Sequence, residues 1–545
     1  MSKSNKHRYK TELCNDTMTF QDCELAILRN AVDETEKIQS QKTANSEEIK
    51  QMIVILENFL RKKQCICYGG TAINNILPKH AQFYNRDIEI PDYDFYSKTP
   101  VDDAKELADI YYKAGYKDIE AKAGVHHGTY KVFVNFIPIA DITELHAEFF
   151  KEMSKEAIKV NGIRYASPNF LRMNMFLELS RPAGDVSRWE KVLKRMTLLN
   201  KFYPILPKLE CSTVEFQRKI SLSSTDITNK HSSKNMDDVF ERREQGKKPE
   251  ESDNIYYIVR NTLIDQGVIF FGGYAASLYS RYMPKEQQRL LQAIPDFDVL
   301  SEDADTCANI VIEQLENAGY KKPKKVYHDA IGELIPEHIE ICLGKETLVF
   351  IYRPIACHSY NQIHVGNNEI KIATIDTMLS LYFAFYYTNQ PYYNKNRILC
   401  MTKFLFDVEQ QNRLSQRGLL KRFSIDCYGK QETLEVIRSQ KMEKFKELKD
   451  NRKSKEYEEW FMKYNPVVNG EIGLKRNTTR TESSNISERS ETSKKRDNKP
   501  LIKTIKTIKT IKTIKTTKRI KRRIKGTRRK NNTTQLLDML LPKVL

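Results

Sequence analysis

Tyr68 to Tyr96 reads YGGTAINNILPKHAQFYNRDIEIPDYDFY, and the rest of the chain is organised around this stretch. The apolar run Ile66-Cys67-Tyr68 breaks at Gly69-Gly70-Thr71, after which a helical pattern begins. The stretch closes on Pro91-Asp92-Tyr93-Asp94-Phe95, two acids alternating with aromatics. On a strand, residues i and i+2 share a face, so Asp92 and Asp94 project together, roughly 6–7 Å apart along the chain. Two carboxylates that close repel one another, and a divalent cation is their natural neutraliser. Two glycines ahead of a helix let backbone N–H groups approach an anion, and the helix start favours phosphate. A phosphate cradle followed by an acid pair points to nucleotidyl transfer. Asp87 and Glu89 form a rival pair in the same stretch.

Upstream, Ile49, Met52, Ile53, Leu56, Phe59 and Leu60 recur at helical spacing from about Ser46. Downstream, the pattern predicts a helix over Val101 to Lys113, ended at Gly115. Thr129 to Thr143, TYKVFVNFIPIADIT, alternates apolar and polar residues as one half-buried strand that delivers Asp141. Three carboxylates suit two divalent ions, which activate an attacking hydroxyl and stabilise departing pyrophosphate. On that reading Asp92 and Asp94 hold both ions. Asp141 completes the one that activates the attacking 3′-hydroxyl, and Gly69, Gly70 and Thr71 bind the β- and γ-phosphates. Arg188, Lys191 and Arg195 follow i, i+3, i+7 spacing on one helix face. A solvated basic face and a triphosphate- or RNA-binding face both remain open there. Trp189 reads as a core residue with base stacking as the alternative, and His126-His127 as a loop without metal chemistry.

The pattern then starts again. Gly272-Gly273 follows an apolar run, and Pro295-Asp296-Phe297-Asp298 echoes Pro91-Asp92-Tyr93-Asp94. The first glycine and second acid lie 25 positions apart in one copy and 26 in the other, and that acid precedes the next glycine by 21 in both. Pro138-Ile139-Ala140-Asp141 is echoed by Pro354-Ile355-Ala356-Cys357. This reads as an internal duplication in which Cys357 replaces the third acid and Tyr274 stands where Thr71 stands. The second copy is therefore expected to be silent.

The expected organisation is an N-terminal extension (1–44), an active domain (45–221), a linker (222–254), a degenerate second domain (255–430), a charged helical segment (431–468) and a disordered basic tail (469–545). The fold class is α+β, two tandem mixed sheets flanked by helices. The 545 residues carry a net charge of +19, but fourteen Lys and Arg without an acid sit in residues 501–530, leaving +5 elsewhere. That tail favours nucleic acid as a partner. A mean hydropathy of −0.60 and the lack of a long apolar run argue against a membrane span, and the start does not read as a signal peptide. The chain reads as intracellular. The ten cysteines show neither a zinc spacing nor a disulfide framework and read as reduced core thiols.

YGGTAIN, PDYDFYS, PIADIT and SRPAGDVSRWEKVLKRMTLLNKFYP together resemble the poly(A) polymerase catalytic subunit of large nucleocytoplasmic DNA viruses, of the mimivirus-like type. That family lies within the polymerase-β-like nucleotidyltransferases. The resemblance covers about residues 45–400, although the spacer from Gly70 to Asp92 is longer than is usual in the superfamily. It implies adenylate transfer from ATP to mRNA 3′ ends with Mg²⁺ or Mn²⁺, a degenerate second domain, a homodimer, and residence in the host cytoplasm, the viral factory and the virion. Oligouridylating, CCA-adding and oligoadenylate-synthesising enzymes share the three acids, and a non-catalytic RNA-binding scaffold is the alternative of a different class.

Overall fold

A computed structural model describes residues 11–14, 17–44, 46–85, 90–207, 211, 251–288, 296–365 and 368–469. The rival acids Asp87 and Glu89, most of the linker and the basic tail lie outside the described residues. Among those described, no helix is long and apolar enough to cross a membrane.

The N-terminal extension forms α1 (Phe20–Ala44), followed by α2 (Glu47–Lys62). All six periodic apolar residues of α2 are buried, each worth about 2 kcal/mol relative to exposure. Glu47 and Glu48 in its first turn and Arg61 and Lys62 in its last suit the helix dipole. The chain then enters β1 (Ile66–Tyr68), turns directly into α3 (Gly69–Ile76), and returns as β2 (Tyr93–Ser97). The predicted helix is α4 (Pro100–Lys113), with Pro100 in its first turn and Gly115 at φ +101° beyond its end.

The run Thr129–Thr143 departs from expectation. It is two strands, β4 (Thr129–Val134) and β5 (Ile137–Glu144), preceded by β3 (Ile119–Ala123). Asn135 and Phe136 both adopt left-handed φ, 49° and 66°, and reverse the chain in a two-residue turn. The alternation continues through such a turn, so it looked like one long strand. Helix α5 (Ala147–Glu156), the hairpin β6 (Ile158–Val160) and β7 (Ile163–Tyr165), then α6 (Pro168–Leu179) and α7 (Trp189–Phe202) complete the first half.

The second half repeats the plan. Its elements are α8 (Glu251–Asp265), β8 (Ile269–Phe270), α9 (Gly273–Tyr279), β9 (Phe297–Leu300) and α10 (Ala304–Asn317). Then come β10 (Lys324–His328), β11 (His338–Leu343), β12 (Glu346–Tyr352), β13 (His358–Val365) and β14 (Asn368–Ala373). Helices α11 (Ile375–Tyr386) and α12 (Lys395–Gln411) follow, with β15 (Cys427–Tyr428). The segment after residue 431 forms α13 (Leu434–Leu448), α14 (Lys455–Phe461) and β16 (Lys463–Tyr464). Strand order is β16-β3-β4-β5-β2-β1-β7-β6 in one sheet and β10-β11-β12-β9-β8-β14-β13-β15 in the other. Both are mixed sheets, and seven strands correspond one to one. The charged C-terminal segment thus returns to the first half, where β16 extends the edge strand β3.

The halves are tied together. Helices α6 and α11 pack on each other, and the Ser167 and Tyr387 hydroxyls share a hydrogen bond. Tyr386 donates to Glu156 at 2.5 Å, and Lys395 pairs with Glu152 at 2.6 Å.

Strand register corrects the assignment of the third position in the second copy. Asp94 lies beside Asp141 on parallel β2 and β5, and the equivalent pair on β9 and β12 is Asp298 and Phe350. Cys357 lies beyond β12, so the PIA repeat matched a segment past the strand. The cysteine reading is corrected as well. Cys14–Cys23, Cys211–Cys400 and Cys357–Cys427 are disulfide-bonded, with Cα–Cα separations of 5.2, 5.7 and 5.2 Å. Two of these pairs are 189 and 70 residues apart, so spacing alone did not reveal them. Cys65, Cys67 and Cys307 are the buried free thiols that were expected.

Candidate active site

The cleft is built where β1 gives way to α3. Gly69 holds φ +73°, and a Cβ there would lie 2.5 Å from Asp94 Oδ2. Only glycine fits both the left-handed turn and the close approach of the acid. A Cβ on Gly70 would lie 2.5 Å from the Tyr84 hydroxyl and 2.7 Å from Arg195 Nη2, so this second glycine keeps the floor open to a cation. Thr71 is buried and donates its hydroxyl to the Asp92 carbonyl at 2.6 Å. Its proton is given to the acid loop, so here Thr71 serves as a structural tether. The backbone N–H groups of Gly69 and Gly70 stay at the start of α3 as expected.

Asp94 and Asp141 are register partners, and Tyr68, across from Asp94 on β1, closes one side. The Tyr68 hydroxyl hydrogen-bonds Thr143 at 3.0 Å, and its ring stacks on Tyr96 at 4.0 Å. Burial, then Asp92 and Asp141, push the Asp94 carboxyl up to about 7. Asp92 at the cleft rim is also held above the usual range, by partial burial and by Asp141, while Lys131, Lys191 and Arg195 pull the other way. The three acids thus feel one another. Lys131, opposite Asp141 on β4, forms an ion pair with it.

Among the described residues, no group of three or more His, Cys, Asp or Glu side chains is close enough to hold a metal ion. The donor set nonetheless fits a divalent cation. It consists of hard carboxylate oxygens, two of them raised by burial and then by neighbouring acids, and a cation between them would lower both.

The cations of the predicted helix face lie near the acids. Arg188, at the start of α7, pairs with Glu178 at 2.8 Å and acts on Asp94, while Lys191 and Arg195 act on Asp92. Arg195 donates to the Tyr84 hydroxyl and stacks over Phe83 and Tyr84 at 5.4 and 5.5 Å. Trp189 is a packing residue, its Nε1 donating to the Glu178 carbonyl at 3.0 Å. The His127 ring rests on Trp460, with centroids 4.3 Å apart. Lys131, Tyr84 and Glu178 were missed from sequence. Recognising the turn at Asn135 would have placed Lys131 opposite Asp141; nothing local marks the other two.

The geometry has a counterpart among known proteins. Residues 54–185 match the family model of the poly(A) polymerase catalytic subunit. The match contains Gly69, Gly70, Thr71 and all three acids, and stops short of Arg188, Lys191 and Arg195. A protein of Acanthamoeba polyphaga mimivirus named for the same subunit is 37% identical over 165 residues, 29% of this chain and 27% of its own. One from African swine fever virus (isolate Tick/Malawi/Lil 20-1/1983) is 31% identical over 180 residues, 32% of this chain and 38% of its own. The matched segment thus spans about a third of those relatives' length. In fold, the chain is similar to the crystal structure of the Megavirus polyadenylate synthase, with a TM-score of 0.63 at 19% identity over 88% of this chain and 92% of that one. The poly(A) polymerase resemblance read from YGGTAIN, PDYDFYS and PIADIT holds in these comparisons.

Proposed function

We propose that this chain is a template-independent poly(A) polymerase, transferring AMP from ATP to RNA 3′ ends. One observation carries the reading: Asp94 beside Asp141 on parallel strands, with Asp92 two residues away, facing a glycine turn whose missing Cβ admits the acid. Adenylate as the group transferred rests on the names of the relatives.

In the reaction, the RNA 3′-oxygen attacks the α-phosphorus of the nucleotide. The new P–O bond forms as the bond to pyrophosphate breaks. Asp141 accepts the 3′-hydroxyl proton as its ion pair with Lys131 loosens. Backbone N–H groups of Gly69 and Gly70 receive the β- and γ-phosphates, and Lys191 and Arg195 bind the triphosphate charge equally before and during transfer. Asp92, Asp94 and Asp141 are the residues that would hold Mg²⁺ or Mn²⁺, which when bound supplies Lewis-acid activation of the nucleophile and the leaving group. The substrates are thus an RNA 3′ end and a nucleoside triphosphate, and the host cytoplasm is the proposed setting.

Incubating purified protein with a labelled oligoribonucleotide, Mg²⁺ or Mn²⁺, and each nucleoside triphosphate separately tests this. Long tails with ATP alone are expected. Tails of uridylate or a short CCA addition would reassign it among the transferases, and no addition under any condition would favour the scaffold.

A further inference from the structure

Helix α7 carries its cations on one face and is held from the other by the second half. The turn before β15 brings Arg422 and Phe423 against it. Arg422 Nη2 lies 3.7 Å from the Met196 sulfur, and Met196 is one turn from Val192 on the buried side of α7. The Phe423 ring packs on Trp189, the first residue of α7, at 5.9 Å between centroids.

Arg422 is itself fixed. Its Nε reaches Asp376 Oδ2 at 3.0 Å and its Nη2 reaches Asp376 Oδ1 at 2.9 Å, while Nη1 reaches Glu409 Oε1 at 2.7 Å. Asp376 is on α11 and Glu409 on α12, so one guanidinium bridges two helices of the second half. Both carboxylates are buried, and the arginine side chain is 9% exposed. A planar guanidinium held by two buried carboxylates has little freedom, and whatever rests on it shares that rigidity. Positioning of charge to within about 0.5 Å is what a transfer site requires of its supporting residues.

We propose that Arg422 and Phe423 are positioning residues for nucleotide binding: the second half, silent itself, seats α7 so that Lys191 and Arg195 face the cleft. This rests on the reading of α7 as the triphosphate-contacting helix. It gives the degenerate copy a stated task, since Arg422 is anchored wholly within that copy and touches the first half at α7.

The test uses the full-length protein, with kcat and KM for ATP measured at saturating oligoribonucleotide and the affinity of mant-ATP as a second readout. Phe423→Ala should raise KM about 5- to 10-fold and weaken mant-ATP equally, with kcat within about 2-fold, because uniform binding is what is lost. Arg422→Met leaves two buried carboxylates uncompensated and is prone to unfolding. The companion is therefore the charge-neutral triple variant Arg422→Met/Asp376→Asn/Glu409→Gln, expected to melt as a folded protein and to show the same rise in KM. Lys191→Ala and Arg195→Ala serve as references. If these raise KM while the folded Phe423 and triple variants do not, the positioning role is overturned and the helix reading stands. If none of them changes KM, the helix reading falls and the proposal falls with it.

Discussion

Phe350 stands beside Asp298 in the second sheet at the register that Asp141 holds beside Asp94 in the first. The second copy keeps a Gly-Gly turn and two acids, yet an aromatic ring fills the place of the third carboxylate. Phe350 is buried, and Tyr274, also buried, replaces Thr71. Asp296→Ala/Asp298→Ala should therefore leave nucleotide addition within about 2-fold. A folded double mutant that binds RNA normally but no longer extends it would show that the second copy takes part in chemistry.

In the first half, replacing any one of Asp92, Asp94 and Asp141 by Ala should cut tailing at least 10³-fold, about 4 kcal/mol in barrier. Far-ultraviolet circular dichroism should be unchanged. Near-normal extension by Asp94→Ala would remove the acid cluster from the mechanism.

Asp94 makes the metal-free protein pH-sensitive. Its folded carboxyl is raised from 3.8 to about 7, so between those values the native state binds more protons than the unfolded chain. Stability contributed there is present at low pH and is lost as pH rises through about 7, by up to ~4 kcal/mol before screening. Asp94→Asn should flatten this fall and raise Tm at pH 8. Mg²⁺ should stabilise the wild type at pH 8 and not the variant. Parallel Tm–pH curves for the two proteins would contradict the burial and repulsion described for Asp94.

Thr71→Val keeps the shape of Thr71 and removes its hydrogen bond to the Asp92 carbonyl. The bond is short and part-buried, so its loss should cost about 1–2 kcal/mol in denaturant unfolding. Activity should fall about 10-fold or more as the acid loop loosens. If Thr71→Val unfolds at the wild-type denaturant concentration and tails normally, the tether is dispensable. Thr71→Ser should restore both properties.

The basic run 501–530 is expected to hold RNA electrostatically. If about six of its cations engage single-stranded RNA, log affinity should fall with log salt at a slope near −4. Deleting it should flatten the slope and leave single-nucleotide addition at saturating primer little changed. A slope that survives deletion would assign the run to something other than RNA.

Much of this was written locally. The period of Ile49 to Leu60 specifies α2, the glycines specify the turn into α3, and the i, i+2 spacing of Asp92 and Asp94 leaves those acids close enough to interact, although Asp92 precedes β2. Even the duplication is legible, because spacings survive where residues change. These signals need only the chain's own periodicities and the steric freedom of glycine.

What the tertiary structure decided is which residues became neighbours across strands and between halves. Lys131 reaches Asp141 only because Asn135 and Phe136 reverse the chain, and Arg195 meets Tyr84 across 111 positions. Phe350 takes the third place because register follows the hydrogen-bond ladder of β9 and β12, to which the repeated PIA offers no guide. Cys211 meets Cys400, and Arg422 reaches Met196, through the packing of elements far apart in sequence. A periodicity tells each element which face to bury; the partner it is buried against is set by the packing of all of them at once.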